Sequence, residues 1–171
     1  MTSIIASMPG QSFSASASFT RPADTTAYAS GDLVANNTVN TNVVALPLIA
    51  ARNEGASGII TRLRLAKSTV SLTNASFRVH LYKANPTEAN GDNGAWSTTG
   101  ANGDYIGSFD VTMDKAFTDG AMGAGVPGTG NYSQFVAANQ SKVIYALIEA
   151  RAAYSPGNAE VFTLYIEGFQ D

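Results

Sequence analysis

No cysteine occurs in this 171-residue chain, and histidine occurs once, as His80. The first absence removes disulfides, thiolate nucleophiles and cysteine-ligated zinc. The second leaves one imidazole for any triad or metal cluster, and neither is built from an isolated ring. Charge is scarce too: Asp, Glu, Lys and Arg make up 13%, about half the usual share. The net charge is −3, so the basic excess with which proteins neutralise phosphate is missing, and nucleic acid is not an expected partner. Long apolar runs are missing as well. Residues 43–51 form the longest, nine residues interrupted by Pro47, against the ~20 that a membrane-crossing helix needs; a membrane is not an expected partner. Residues 1–10 carry no basic side chain, so no signal peptide is expected, and the chain is expected to fold in the cytoplasm where it is made.

Ser, Thr, Asn, Ala and 16 glycines take the place of the missing charge, and hydrophobic residues reach 44%. A chain of this length can bury one sizeable core. A surface of small uncharged polar groups costs little to desolvate, which suits a protein that lies against other protein.

The dominant period is two. Residues 76–83 alternate Phe77, Val79 and Leu81 with Arg78, His80 and Tyr82, the pattern of a half-buried strand. Residues 105–113 repeat it, with Tyr105, Phe109, Val111 and Met113 on one face and Ser108, Asp110 and Thr112 on the other. Residues 58–67, 142–150 and 160–169 read as further strands, the last two partly buried on both faces. Residues 12–19 set Phe13, Ala15, Ala17 and Phe19 against serines. In residues 41–49, Pro47 places a strand at an edge or bulge. The glycine-rich stretches 84–104 and 118–132 read as loops. Ser155-Pro156-Gly157-Asn158 reads as a tight reversal that makes the last two strands antiparallel neighbours. A two-turn helix fits only near 21–28 or 132–139. The expected fold is all-β, an antiparallel β-sandwich of jelly-roll or Greek-key type with about eight strands and very little helix. Residues 1–18 are expected to form an extended N-terminal arm or edge strand, and 19–171 a single β-sandwich domain.

Candidate chemistry is thin. His80 sits at an outward strand position, where a surface or interface role is the simpler reading. Asp104, Asp110 and Asp114 offer carboxylates but no enclosing aromatic cleft of the kind glycoside hydrolysis uses. Asn90-Gly91-Asp92-Asn93-Gly94 lacks the ligand alternation and terminal Glu of a calcium loop. The glycines of residues 120–130 lack the strand–loop–helix context of a phosphate cradle and read as a flexible loop. No catalytic, cofactor-binding or metal-binding residue is assigned, and the protein is not expected to be an enzyme.

Partner contacts are better supported. Six of the ten basic residues lie between positions 52 and 83, and six acids lie between 88 and 119. Arg62 and Arg64 are therefore candidates for a basic face offered to a partner. Arg21-Pro22 forces an extended entry into a corner where Asp24 can accept backbone amides and Tyr28 can pack its ring. Arg21 is expected to pair with Asp24 or Asp32, and Arg21 and Tyr28 are both candidate contacts as well as corner residues. Trp96, the one tryptophan, lies in a loop and is the fifth candidate.

The segment Phe19-Thr-Arg-Pro-Ala-Asp-Thr-Thr-Ala-Tyr-Ala-Ser-Gly-Asp-Leu-Val-Ala-Asn36 resembles small tailed-bacteriophage capsid decoration (cement) proteins. So do His80-Leu-Tyr-Lys-Ala-Asn-Pro86, Gly91-Asp-Asn-Gly-Ala-Trp96 and Tyr105-Ile-Gly-Ser-Phe109. The resemblance touches about half of the chain. It implies a jelly-roll-like virion protein on the outer capsid surface. Such a protein binds the major capsid protein across neighbouring subunits, as a homo-oligomer and without catalytic residues. The rival expectation is a carbohydrate- or receptor-binding module of a phage tail or fibre, carried by loops with Trp96, Tyr105 and Tyr132. A polysaccharide-degrading domain comes third.

Overall fold

The computed structural model describes residues 10–127 and 134–170. Period-two alternation is realised along most of them. The strands are β1 (Gln11–Thr20), β2 (Leu33–Val34), β3 (Leu46–Ile49), β4 (Ser57–Lys67), β5 (Ser76–Tyr82) and β6 (Tyr105–Thr112). They continue with β7 (Lys115–Phe117), β8 (Gly120–Pro127), β9 (Gln134–Val136), β10 (Val143–Ala150) and β11 (Val161–Gln170). Among the described residues the only helical turn is a 3-10 turn at Asn40–Asn42. Neither segment expected to hold a helix does so: 21–28 is irregular, and 134–136 is strand. Residues 132 and 133 lie outside the described residues.

The strands form one antiparallel, curled sheet in the order β1-β11-β4-β8-β6-β5-β10-β2, with β3 on β10, β7 on β8 and β9 on β4. β1, at one end of that order, packs against β3 near the other, so the sheet curls round on its own interior. Phe77 of β5 meets Phe162 of β11 edge-on, with ring centroids 5.3 Å apart. These strands are far apart in the sheet order and touch through the core. Leu63, Leu65, Val79, Leu81, Val111, Ile144, Ile148, Leu164 and Ile166 complete an interior fully shut off from solvent.

Four sequence expectations change in the folded chain. First, the described residues form eleven strands, eight of them on the continuous sheet path, because short pairings at β2, β7 and β9 leave almost no periodic signal. Second, part of the stretch read as a flexible loop, Gly120–Pro127, is β8, which bridges β4 and β6. A Cβ on its Gly123 would stand 2.2 Å from the Thr112 carbonyl oxygen. That glycine answers to close strand approach rather than flexibility.

Third, β10 and β11 are not neighbours. β10 lies between β5 and the pair β2 and β3, while β11 lies between β1 and β4. The 151–160 connection crosses between them and is anchored from within. Tyr154 is buried and its hydroxyl donates to Glu160 at 2.7 Å, while Lys67 Nζ lies 3.3 Å from the same carboxylate. Turn residues dictate that a chain reverses, not which strand receives it. Fourth, Tyr105 leaves the Phe109 face. A bulge between Leu81 and Tyr82 puts Tyr105 opposite Tyr82 and gives the core side to Ile106; one extra residue switches every side chain beyond it to the other face.

Within the stretch expected as an arm or edge strand, Gln11–Thr20 pairs with β11 over its whole length as an edge strand. Residues 1–9 lie outside the described residues.

Candidate functional site

The corner after β1 is closed from inside. The Arg21 guanidinium donates from Nε to the Tyr28 hydroxyl and from Nη2 to Asp92 Oδ2 at 2.8 Å. Tyr28 in turn donates to Asp92 Oδ1 at 2.6 Å, and the Ala35 amide donates to the same oxygen at 2.8 Å. The side chain of Arg21 is wholly enclosed and Tyr28 is 1% exposed. Neither is available to a partner in the folded chain, which corrects their placement as contacts. Burial pushes the Tyr28 phenol up, and the neighbouring Asp92 adds to that. Of the two acids expected beside Arg21, Asp24 reaches it only at 3.4 Å and Asp32 caps the Ala29 amide instead. Asp92, dozens of positions away in a turn that reads as ordinary Asx-Gly punctuation, supplies the buried charge that burial of Arg21 demands.

This lock holds the 84–104 loop over one outer face of the sheet. The Leu33 amide bonds the Gly94 carbonyl at 2.8 Å, Trp96 N bonds Gly31 O at 2.7 Å, and Asp92 N bonds Asn37 O at 2.7 Å. Trp96 thereby packs on a second apolar cluster of Leu33, Ala35, Ala45, Tyr82 and Leu147. The His80 ring stacks on Trp96 with centroids 4.1 Å apart. His80 Nε2 lies 3.0 Å from Glu149 Oε2 and Nδ1 lies 3.1 Å from the Tyr105 hydroxyl. A carboxylate only accepts, so Nε2 carries the proton toward it. Arg151 donates to the other Glu149 oxygen at 2.9 Å. Arg78 grips Asp110 with two hydrogen bonds, 2.6 and 2.9 Å. The outward histidine of the sequence is thus on the outer face but covered. An open groove of about 310 Å³ remains, lined by His80, Tyr82, Trp96, Thr98, Thr99 and Tyr105.

The other outer face belongs to β4, β11 and β9. Arg64 pairs with Glu167, and its guanidinium lies 5.1 Å from the Tyr165 ring centroid. Arg62 reaches the same carboxylate only at 3.5 Å, and its side chain is 59% exposed. Toward the end of the sheet, Ile59 stands opposite Phe169, and Val136 stands opposite Ser57. Ile59, Phe169 and Val136 are each about half exposed. Alternation groups Ile59 with Leu63 and Leu65, but the register shift at Glu167/Gly168 turns Ile59 outward, which no local pattern foretells.

The basic stretch 52–83 does not make one face. Lys67 is buried against Glu160, Arg78 is neutralised by Asp110 on the opposite outer face, and Arg62 with Arg64 stay together on β4. Alternation along a strand, and separation of β4 from β5 in the sheet, disperse charges that are contiguous in sequence. Arg62 and Arg64 meet Glu167 on one face, and Arg78 meets Asp110 and Arg151 meets Glu149 on the other. Among the described residues no group of three His, Asp or Glu side chains is placed to hold a metal ion. No protein-family model matches the chain, and a comparison with curated proteins finds no significant relative.

Proposed function

We propose that the chain is a non-enzymatic virion structural protein, a jelly-roll-type β-sandwich that decorates an icosahedral phage capsid and stabilises it across subunit seams. The observation that carries this reading is the exposed trio Ile59, Val136 and Phe169 on the face that also presents the largely exposed Arg62. Large apolar side chains held half in water next to one another are the usual mark of a protein-binding surface. The resemblance of residues 19–36, 80–86, 91–96 and 105–109 to decoration proteins supports it. The mechanism is mass action: a protein that binds the assembled lattice and not separated subunits stabilises assembly by its binding free energy. The partner is the major capsid protein, and the place of action is the outer surface of the virion.

The groove of Trp96, Tyr82, Tyr105 and Thr98 favours a second reading, a carbohydrate- or receptor-binding module, because aromatic faces beside hydroxyls are the chemistry that sugars meet. Tyr132, which the sequence attaches to that reading, lies outside the described residues. Mixing the purified protein with assembled capsids and with free capsid subunits of the encoding phage separates the two. Binding to shells alone, with regular density on the outer surface in electron cryo-microscopy, is the expected result. Density confined to the tail tip, or glycan binding without capsid binding, overturns decoration in favour of the second reading. Turnover of a bacterial surface polysaccharide overturns the non-enzymatic part of both.

A further inference from the structure

Arg62 and Arg64 alternate with the buried Leu63 and Leu65, so both guanidiniums stand on the outer face of β4. Across the ladder, Arg64 lies opposite Ala124 of β8. The next row sets Met122 opposite Ala66 of β4 on one side and Lys115 of β7 on the other. A lone methyl at Ala124 among such long neighbours leaves a dip in the sheet surface. That dip is an open cleft of about 190 Å³, lined by Arg62, Arg64, Lys115, Phe117 and Met122 around Ala124.

Positive charge is in excess here, on a chain whose net charge is −3. Three cations line the cleft, and two carboxylates stand near them, Asp114 on its wall and Glu167 on β11. Glu167 serves both guanidiniums, Arg64 closely and Arg62 only at 3.5 Å. Lys115 is exposed and joins no ion pair among the described residues. Arg64 supplies a second, independent observation. Its Nε is buried and has no hydrogen-bond acceptor among the described residues. A charged donor buried without an acceptor is costly, and folded proteins seldom carry one without a reason.

We infer that this cleft takes an acidic side chain from an exposed segment of a partner protein. The incoming carboxylate lies between the two guanidinium forks, whose paired N–H groups match its two oxygens, and Lys115 meets it from the β7 side. A small turn of the Arg64 guanidinium gives Nε its acceptor. Apolar residues flanking that acid pack on Phe117, which is 49% exposed, and on the half-buried Met122. These apolar walls suit a protein segment better than a free anion, and a net charge of −3 disfavours a polyanion such as nucleic acid. In the decoration reading, on which the identity of the partner alone rests, the outer capsid surface offers such an acid at this contact.

NMR titration of the isotope-labelled protein with the peptide acetyl-Leu-Glu-Leu-amide tests it. The expected result is a set of saturable shifts at the Arg64 Nε–H and at the amides of Lys115, Met122 and Ala124. Acetyl-Leu-Gln-Leu-amide and inorganic phosphate should each bind about tenfold more weakly or worse. Lys115→Glu should weaken the acidic peptide by about tenfold. It removes an attraction and adds a repulsion, each worth about threefold at an exposed site. Lys115→Gln, with its loss of about threefold, carries the test should the first variant fail to fold. Equal affinity for the glutamine peptide or for phosphate, or no shift at the cleft in millimolar peptide, overturns the inference. Pelleting with assembled capsids of the encoding phage separates it from decoration. Capsids that hold wild-type protein and Lys115→Glu equally well overturn the inference and leave decoration standing. Peptide binding in the cleft without capsid binding upholds the inference and overturns decoration.

Discussion

The Tyr28 hydroxyl and the Asp92 carboxylate, 64 positions apart, are joined by a 2.6 Å hydrogen bond inside a closed corner. Through it and the Arg21–Asp92 ion pair, the start of the domain is tied to the loop that carries Trp96. Asp92→Ala leaves the enclosed Arg21 only the partly exposed Asp24 carboxylate, 3.4 Å away, as counter-charge. Breaking a buried pair costs about 3–5 kcal/mol, of which the lower end is expected here. Urea unfolding should record that loss, with a red shift of Trp96 emission in the native baseline as the loop loosens. Unchanged stability would mean that solvent reaches Arg21.

Capsid attachment, if it uses the β4–β11 face, should depend on Arg62 more than on Arg64. Arg62→Glu should weaken binding with a loss that fades as salt rises, since an exposed charge acts through a screened field. Arg64→Glu should also lower the melting temperature, because it sets a carboxylate beside Glu167 in place of the existing pair. Binding assays at two ionic strengths, with melting curves of both variants, separate the effects.

Acid should destabilise the fold through the outer face of β5, β6 and β10. The hydrogen bonds from Arg78 hold the Asp110 carboxyl below the ordinary carboxylate range. At Glu149 burial pulls upward, but hydrogen bonds from His80 and Arg151 outweigh it and leave the group lowered. A carboxyl whose folded pKa is depressed contributes stability above its unfolded pKa and loses it as pH falls through the folded one. The melting temperature should therefore drop from about pH 4.5 downward. In Asp110→Asn that acid-side fall should be shallower, and an identical fall would remove Asp110 from the account.

Gly123→Ala should destabilise by about 3 kcal/mol, the upper range for forcing atoms into a filled site. The added Cβ meets the Thr112 carbonyl at 2.2 Å, and backbone cannot move aside as a flexible side chain can. Chemical denaturation measures it. A neutral result would show that β8 shifts freely between β4 and β6.

The sequence by itself determined the fold class, the main strands, the inward sets such as Phe77, Val79 and Leu81, and the corner chemistry at Arg21-Pro22, because these follow from alternation and turn residues within a few positions. It also grouped Arg62 with Arg64 as basic residues of one strand, β4. Tertiary structure alone decided that Asp92 rather than Asp24 or Asp32 neutralises Arg21, which removed Arg21 and Tyr28 from the surface. It alone crossed the 151–160 connection instead of closing a hairpin, moved Tyr105 to the outer face through a bulge, and brought Ile59, Phe169 and Val136 together. A strand's period states which side chains share a face, but its neighbour is chosen by how well whole faces bury against each other. That comparison involves residues dozens of positions apart and leaves no mark in the local pattern.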